Sequence, residues 1–330
     1  MKLNLSFKTI MKNFRSKFSA VKLIFLAILA LMAFCPTAFS QNYTKKVIEL
    51  WENGNIPFNK EVISLSETID STGRRISQIS RPELYVYIKA NATENGSALL
   101  YCPGGGYRVV SLKNDGESIA KHYLKMNFNV VAVLKYRLPD PRIVNSPEKV
   151  PLCDAQKALA LLHQNAGNWQ IDQNKIAVMG SSAGGHLAAS LANLTSDILA
   201  PGVKQKELKQ AVSILVYPVI SPYLHEGSFK RLLLDKFYDQ SLLDHYSMEK
   251  QVSKNTPPTF LIHANDDRLV IHENSDIYAS RLKKHNIVHK YVQLEKGGHG
   301  FGLNFSRTGT DWTIDLEEWL HKKTNLFDKQ

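Results

Sequence analysis

Ser182 stands in Gly180-Ser-Ser-Ala-Gly184, directly after the apolar run Lys175-Ile-Ala-Val-Met179 and directly before the Ala-rich Gly185-His-Leu-Ala-Ala189. A serine hydroxyl is a weak nucleophile unless it is held exposed beside a base, and a sharp strand-to-helix turn holds it that way. Glycines two before and two after Ser182 are needed because side chains there collide as such a turn closes. A helix starting behind Ser182 also aims free N–H groups and the positive end of its dipole at developing negative charge. This arrangement suits acyl transfer through a covalent intermediate.

Acyl transfer develops an oxyanion, and Ala98-Leu-Leu-Tyr-Cys-Pro-Gly-Gly-Gly-Tyr107 places three glycines just after an apolar strand. Bare backbone there brings N–H groups close to a ligand, and a preorganised donor about 3 Å from the oxyanion contributes roughly 10²–10³-fold in rate. The N–H groups of Gly105 and Gly106, with that of Ala183, are the candidate oxyanion donors; Gly104 is assigned only to permitting the turn. The acid and the base are expected later in the chain, each at the carboxyl end of a strand. Thr259-Phe-Leu-Ile-His-Ala-Asn-Asp-Asp-Arg-Leu-Val270 ends a strand in two carboxylates, and Asp267 is preferred to Asp266 because it stands closest before the segment that turns the chain back. Tyr291-Val-Gln-Leu-Glu-Lys-Gly-Gly-His-Gly-Phe301 then delivers His299 as general base from a glycine-flanked loop. Of the other histidines, His186 is expected to pack or hydrogen-bond inside the helix behind Ser182, and His263 to support the acid loop.

Short β-branched and aromatic runs alternate with segments of helical period from Glu83 onward, the pattern of an α/β domain with a largely parallel sheet covered on both faces. Strands are expected over Glu83–Lys89, Ser97–Cys102, Asn129–Leu134, Lys175–Met179, Ala211–Val216, Thr259–His263 and His289–Leu294. Helices are expected over Glu117–Met126, Val150–Asn165, Ala183–Leu194, Asp276–His285 and Trp312–Lys323. Residues 41–81 are expected to add an antiparallel edge. Residues 221–258, with Pro, Gly and isolated apolar clusters, read as an insertion above the sheet with one helical piece around Leu242–Val252. Its aromatics Tyr223, Phe229, Phe237 and Tyr238, like Tyr107, are expected to pack in the core rather than stack on a ligand.

Residues 1–40 read as a targeting segment ahead of a single domain spanning 41–330. Lys2, Lys8, Lys12, Arg15, Lys17 and Lys22 precede an apolar run, Leu23 to Phe34, and the small residues Ala38 and Ser40 suit cleavage before Gln41. The apolar run is too short to span a bilayer comfortably, and bulky Phe34 before Cys35 disfavours a lipid anchor. Export to the periplasm or medium is therefore expected, with no stable membrane span. Those six basic residues carry six of the +11 net charge, so the remainder is near +5. Nothing in it gathers Lys and Arg with aromatics into a nucleic-acid surface. Cys102 and Cys153 do not make a disulfide framework and read as two buried small side chains.

Taken together, these residues resemble the α/β-hydrolase esterases, and among them the bacterial carbohydrate acetylesterases of the acetylxylan esterase or xylanase-associated type. The resemblance is carried by Pro103-Gly-Gly-Gly-Tyr107, Lys135-Tyr-Arg-Leu-Pro139, Asp154-Ala155, Gly180-Ser-Ser-Ala-Gly-Gly-His-Leu-Ala188, Thr256-Pro-Pro-Thr-Phe-Leu-Ile-His263 with Asp266-Asp267, and Gly297-Gly-His-Gly-Phe-Gly302. In lipases similar to hormone-sensitive lipase the oxyanion loop starts with His, where this chain has Pro103. The resemblance implies an α/β-hydrolase fold and removal of acetyl groups from plant polysaccharide or oligosaccharide, with feruloyl or general short-chain esters as alternatives. The expected partner is an ester-bearing small molecule or carbohydrate, and the chemistry requires neither metal nor organic cofactor. A serine peptidase and a non-catalytic binding protein on the same fold are the rival classes.

Overall fold

The protein is described by a computed structural model covering residues 42–112 and 115–327; the proposed targeting segment lies outside the described residues. Eight strands form one sheet: β1 (Tyr43–Glu49), β4 (Glu83–Lys89), β5 (Gly96–Cys102), β7 (Phe128–Lys135), β8 (Ile171–Ser181), β9 (Val212–Val216), β10 (Thr259–Ala264) and β11 (His289–Leu294). Their spatial order is β1-β4-β7-β5-β8-β9-β10-β11. From β7 to β11 every pairing is parallel, whereas β1 and β4 run antiparallel to their neighbours. Parallel strands covered on both faces read as continuous apolar runs, and all eight residues of β7 are buried. The two edges differ. β1 turns Lys45 and Lys46 to solvent and β11 carries Lys290, charges that discourage pairing with another chain's strand.

Helices α1 (Asp115–Lys125), α2 (Val150–Gln164), α3 (Ala183–Asn193), α7 (Glu273–Lys284) and α8 (Thr313–Lys323) surround the sheet. They coincide with the five expected helices to within three residues at each end, as the seven expected strands do with theirs except at β8. That strand begins at Ile171 because Ile171 pairs with Gly96 of β5, and the polar stretch Asp172-Gln-Asn174, which carries no strand pattern, falls in an irregularity before pairing resumes at Ile176. The antiparallel edge expected from residues 41–81 is β1. The remainder of that stretch departs from expectation: β2 (Thr68–Ile69) and β3 (Arg75–Ser77) join β6 (Val110–Ser111) in a separate three-stranded antiparallel sheet.

The early segment is tied to the parallel layer by a buried ion pair. Arg137 donates to both carboxylate oxygens of Asp154, through Nη2 to Oδ1 at 2.6 Å and through Nε to Oδ2 at 3.0 Å, and neither side chain is exposed. Trp51 Nε1 donates to the same carboxylate at 3.0 Å, and Arg137 Nη1 donates to Pro57 O and Asn59 Oδ1. Removing one member leaves an uncompensated buried charge, a loss of about 3–5 kcal/mol. Cys102 and Cys153 are both buried free thiols, and burial pushes each up to about 12.

The segment 221–258 folds as α4 (Glu226–Leu233), a 3-10 turn over Leu234–Tyr238, α5 (Gln240–His245) and α6 (Met248–Gln251). The single helical piece expected around Leu242–Val252 is thus two short ones, broken where Ser247 adopts extended backbone. Phe229 and Phe237 are buried as expected, but Tyr223 and Tyr238 are 52% and 85% exposed, so for these two the expectation of core packing is corrected. Tyr223 lies among charged neighbours instead. Tyr223 accepts Lys250 over its ring and donates to Asp244 Oδ1 at 2.7 Å. Among the described residues no helix is long and apolar enough to cross a membrane.

Candidate active site

β8 runs into α3 through Ser182, whose φ of 54° and ψ of −124° lie outside the regions a side chain ordinarily tolerates. The strained turn is held from both sides. Ser182 N donates to Val216 O at 3.0 Å, and Ser182 O accepts from Gly185 N, His186 N and Val219 N. The flanking glycines are required by contact rather than by dihedral angle. A Cβ on Gly180 would lie 2.0 Å from Gly184 O, and one on Gly184 would lie 2.1 Å from Cys102 O and 2.5 Å from Pro103 O. Gly184 therefore lets the loop after β5 rest directly on the start of α3.

That loop is anchored by two tyrosines. Tyr136 OH donates to Pro103 O at 2.8 Å, and Tyr107, at a φ of 56°, reaches His186 Nδ1 at 2.8 Å. His186 is fully buried, and desolvation pushes its pKa from the ordinary 6.5 down to about 4. The ring is thus neutral, with Nε2–H donating to Tyr246 O at 2.9 Å, which leaves Nδ1 to accept the Tyr107 hydroxyl. Tyr107 is consequently a positioning residue for the glycines before it. Among the described hydrogen bonds, the N–H groups of Gly105, Gly106 and Ala183 donate to no protein acceptor. The Gly104 N–H likewise has no described acceptor; the Gly104 carbonyl accepts from Ser111 N, and a Cβ there would lie 2.8 Å from Ser181 O.

The expected acid and base lie on the loops after β10 and β11. His299 Nε2 is 2.8 Å from Ser182 Oγ, and His299 Nδ1 is 2.7 Å from Asp267 Oδ2. Asp267, not Asp266, meets the imidazole. Its Oδ1 accepts from Leu269 N and Val270 N, both at 3.0 Å, which fixes the carboxylate plane. His263 Nε2 donates to Val270 O at 2.8 Å and lies 3.3 Å from Asp267 Oδ2, with its other nitrogen on Ser275 Oγ. Burial alone would raise the Asp267 carboxyl, but the hydrogen bonds from His263 and His299, with that from Val270 N, outweigh it and hold the group well below the usual carboxylate range.

Asp266 has a separate part, accepting from Gly298 N at 2.7 Å and so pinning the loop that carries His299. Arg307 holds the other side of that loop, donating to His299 O at 3.1 Å and Gly300 O at 3.2 Å. Below it, Phe301 packs edge-on against Tyr217 and Trp312, and Trp312 Nε1 donates to Gly302 O at 2.9 Å. The Tyr217 ring also stands edge-on to His299, 4.9 Å between centroids. Neither Arg307 nor Trp312 carries a local sequence pattern that marks it as part of a site. Tyr107 closes the Pro103-Gly-Gly-Gly-Tyr107 motif, but its partner His186 lies in a distant segment. Among the described residues no cluster of His, Cys, Asp and Glu is arranged to hold a metal ion.

Comparison with known proteins agrees with this architecture. The BD-FAE family model matches residues 84–282. The chain is 31% identical over 236 residues to endo-1,4-beta-xylanase B of Butyrivibrio fibrisolvens, a match covering 70% of this chain and 36% of that protein. It is 29% identical over 252 residues to the acetylxylan esterase of Xylanibacter ruminicola, covering 74% of this chain and 49% of that one. The chain thus spans between about a third and a half of the length of these relatives. Among solved structures, an acetyl ester-xyloside bifunctional hydrolase from Caldicellulosiruptor lactoaceticus superposes with a TM-score of 0.67 at 32% identity, covering 83% of this chain and 95% of that one. The chain belongs to the BD-FAE family of α/β hydrolases and is related to acetylxylan esterases.

Proposed function

We propose that the protein hydrolyses acetyl esters on xylan-type polysaccharide or oligosaccharide through an acyl-enzyme on Ser182. The observation that carries this is the unbroken hydrogen-bonded line from Ser182 Oγ through His299 to Asp267, at 2.8 and 2.7 Å. Asp267 accepts from Nδ1–H and so fixes the tautomer in which Nε2 takes the serine proton. The serine oxygen attacks the ester carbonyl, and the oxyanion is received by the N–H groups of Ala183, Gly105 and Gly106. His299 returns the proton to the departing alcohol. Water then repeats the sequence against the acyl-enzyme, releasing acetate and restoring Ser182. Acetate on xylan is supported by the names of the relatives, and export by the basic-then-apolar composition of residues 1–40.

Ser182→Ala should lower kcat on 4-nitrophenyl acetate by roughly 10⁵- to 10⁶-fold while the far-UV circular dichroism stays unchanged. Retained turnover removes Ser182 as the nucleophile. Acid released from acetylated xylan, and not from feruloylated arabinoxylan or tributyrin, supports the acetyl reading; release from tributyrin alone overturns it.

A further inference from the structure

A cavity of about 650 Å³ opens beside the glycine loop, lined among others by Tyr107, Arg108, Asp140, Arg142, Lys230 and Arg231. Its charges do not balance. Arg142 is consumed by Asp140, with Nη2 to Oδ2 at 2.6 Å and Nε to Oδ1 at 2.9 Å, and Lys230 is paired with Glu226 at 2.5 Å. Arg108 has no side-chain partner among the described residues. Arg231 donates through Nη1 only to the carbonyls of Gly227, at 3.0 Å, and Gly106, at 3.3 Å. Both arginines are exposed where they line the cavity, and no carboxylate among the described residues pairs with either guanidinium.

Their place is set by the oxyanion loop. Arg231 touches the carbonyl of Gly106, whose N–H is a proposed oxyanion donor, and Arg108 follows two residues later. Consecutive Cα atoms are about 3.8 Å apart, so the Arg108 backbone lies within about 8 Å of that donor. A substrate whose ester carbonyl sits at those donors would bring a neighbouring sugar unit toward Arg231, which rests on Gly106 O. A neutral saccharide gives no reason for uncompensated guanidinium at that point, whereas a guanidinium fork matches a carboxylate in plane and spacing.

We infer that Arg108 and Arg231 form an anionic subsite that takes the carboxylate of a uronic acid unit neighbouring the esterified sugar, so that the preferred substrate is an acidic oligosaccharide. The anion carried by a sugar oxidised at its C6 is a carboxylate, the chemistry these two groups are shaped for. This rests on the carbohydrate esterase reading above and adds to it a substrate class.

The test uses a matched pair: an acetylated neutral xylo-oligosaccharide, and the same molecule bearing glucuronic acid on the unit beside the acetate. Both are turned over by one active site, so any loss of folded enzyme cancels in the ratio of their kcat/KM values. At low ionic strength the acidic member should be preferred about five- to tenfold, mainly through KM, as expected for charge-assisted hydrogen bonds at a partly exposed site. Arg108→Gln and Arg231→Gln should each bring the ratio toward one, and Arg108→Lys should retain part of the preference. A ratio of one in the unaltered enzyme, or a preference that Arg108→Gln leaves intact, overturns the subsite while leaving the esterase reading standing. Turnover of 4-nitrophenyl acetate with no acetate released from either oligosaccharide overturns the carbohydrate reading and the subsite with it.

Discussion

The floor of the site and its rim are built on opposite principles. On the floor, backbone meets backbone: Gly184 faces Cys102 O and Pro103 O, Gly180 faces Gly184, and the anchoring side chains Tyr107, Tyr136, His186 and Trp312 are buried. On the rim, in the segment 221–258, contacts are made by side-chain tips such as Lys250 on Tyr223 and Lys236 on Glu148, and the intervening helices are only four to eight residues long. A donor that must meet an oxyanion at about 3 Å tolerates little displacement. Substrate contacts at the rim tolerate more. The same fold can therefore hold one reaction fixed while its rim varies, and substitutions should separate the two regions by size of effect.

The largest effect is expected on the floor. Asp267→Asn keeps the shape of the acid but offers an amide where His299 Nδ1–H needs an acceptor, and kcat should fall by about 10⁴-fold. Asp266→Asn is the comparison that sharpens this. It alters only the contact to Gly298 N and should lose far less, within about tenfold. Steady-state kinetics on 4-nitrophenyl acetate measures both, and equal losses would mean that the two carboxylates share one task.

Gly184→Ala comes next. The added methyl meets two backbone carbonyls at 2.1 and 2.5 Å, neither of which can swing away as a side-chain tip can. The loop of Gly104 to Gly106 must move off the start of α3, so roughly 10²-fold in kcat, with a stability loss of about 3 kcal/mol, is the expected outcome. Unfolding by urea and turnover measured on the same preparation check the two parts. An alanine variant of normal activity would show that the oxyanion donors lie elsewhere.

How far the chain announces this arrangement depends on how local the cause is. The elbow is legible because strand, glycine spacing and helix are contiguous, and His299 because two glycines and a strand flank it. The neighbouring carboxylates Asp266 and Asp267 are harder to tell apart in sequence. Which one faces the imidazole is set by the turn in which Asp267 Oδ1 accepts from Leu269 N and Val270 N. The motif Lys135-Tyr-Arg-Leu-Pro139 and Asp154 can be recognised but not explained from sequence, since the buried ion pair joins Arg137, just after β7, and Asp154 on α2 to Trp51 and Asn59. The small sheet of β2, β3 and β6 is illegible for the same reason. Strands of two or three residues have no period of their own, and only pairing across the fold creates them.

A pH effect on stability tests the floor by a different route. Because burial lowers His186 from 6.5 to about 4, the unfolded chain binds a proton between those values that the folded protein excludes. Stability from this residue is complete above pH about 6.5 and is lost as pH falls toward about 4, by up to about 3 kcal/mol. Urea midpoints across that range should therefore drop steeply, and His186→Gln, although less stable overall, should show a shallower slope. An unchanged slope would assign the linkage to His122, His163 and His225, whose pKa values burial also lowers.

The smallest effect belongs to the rim. Tyr238 is 85% exposed, and its described ring contact is the edge-on one with Phe237, 5.3 Å between centroids, so little apolar area returns to water when it is truncated. Tyr238→Ala should change the unfolding free energy by no more than about 0.5 kcal/mol and leave kcat on 4-nitrophenyl acetate within about twofold. Urea denaturation and steady-state kinetics measure both numbers. A loss on the scale of Gly184→Ala would break the contrast between floor and rim. It would mean that the chain of contacts from Phe237 through Lys230 on α4 reaches the glycine loop, and that the rim takes part in holding the reacting groups in place.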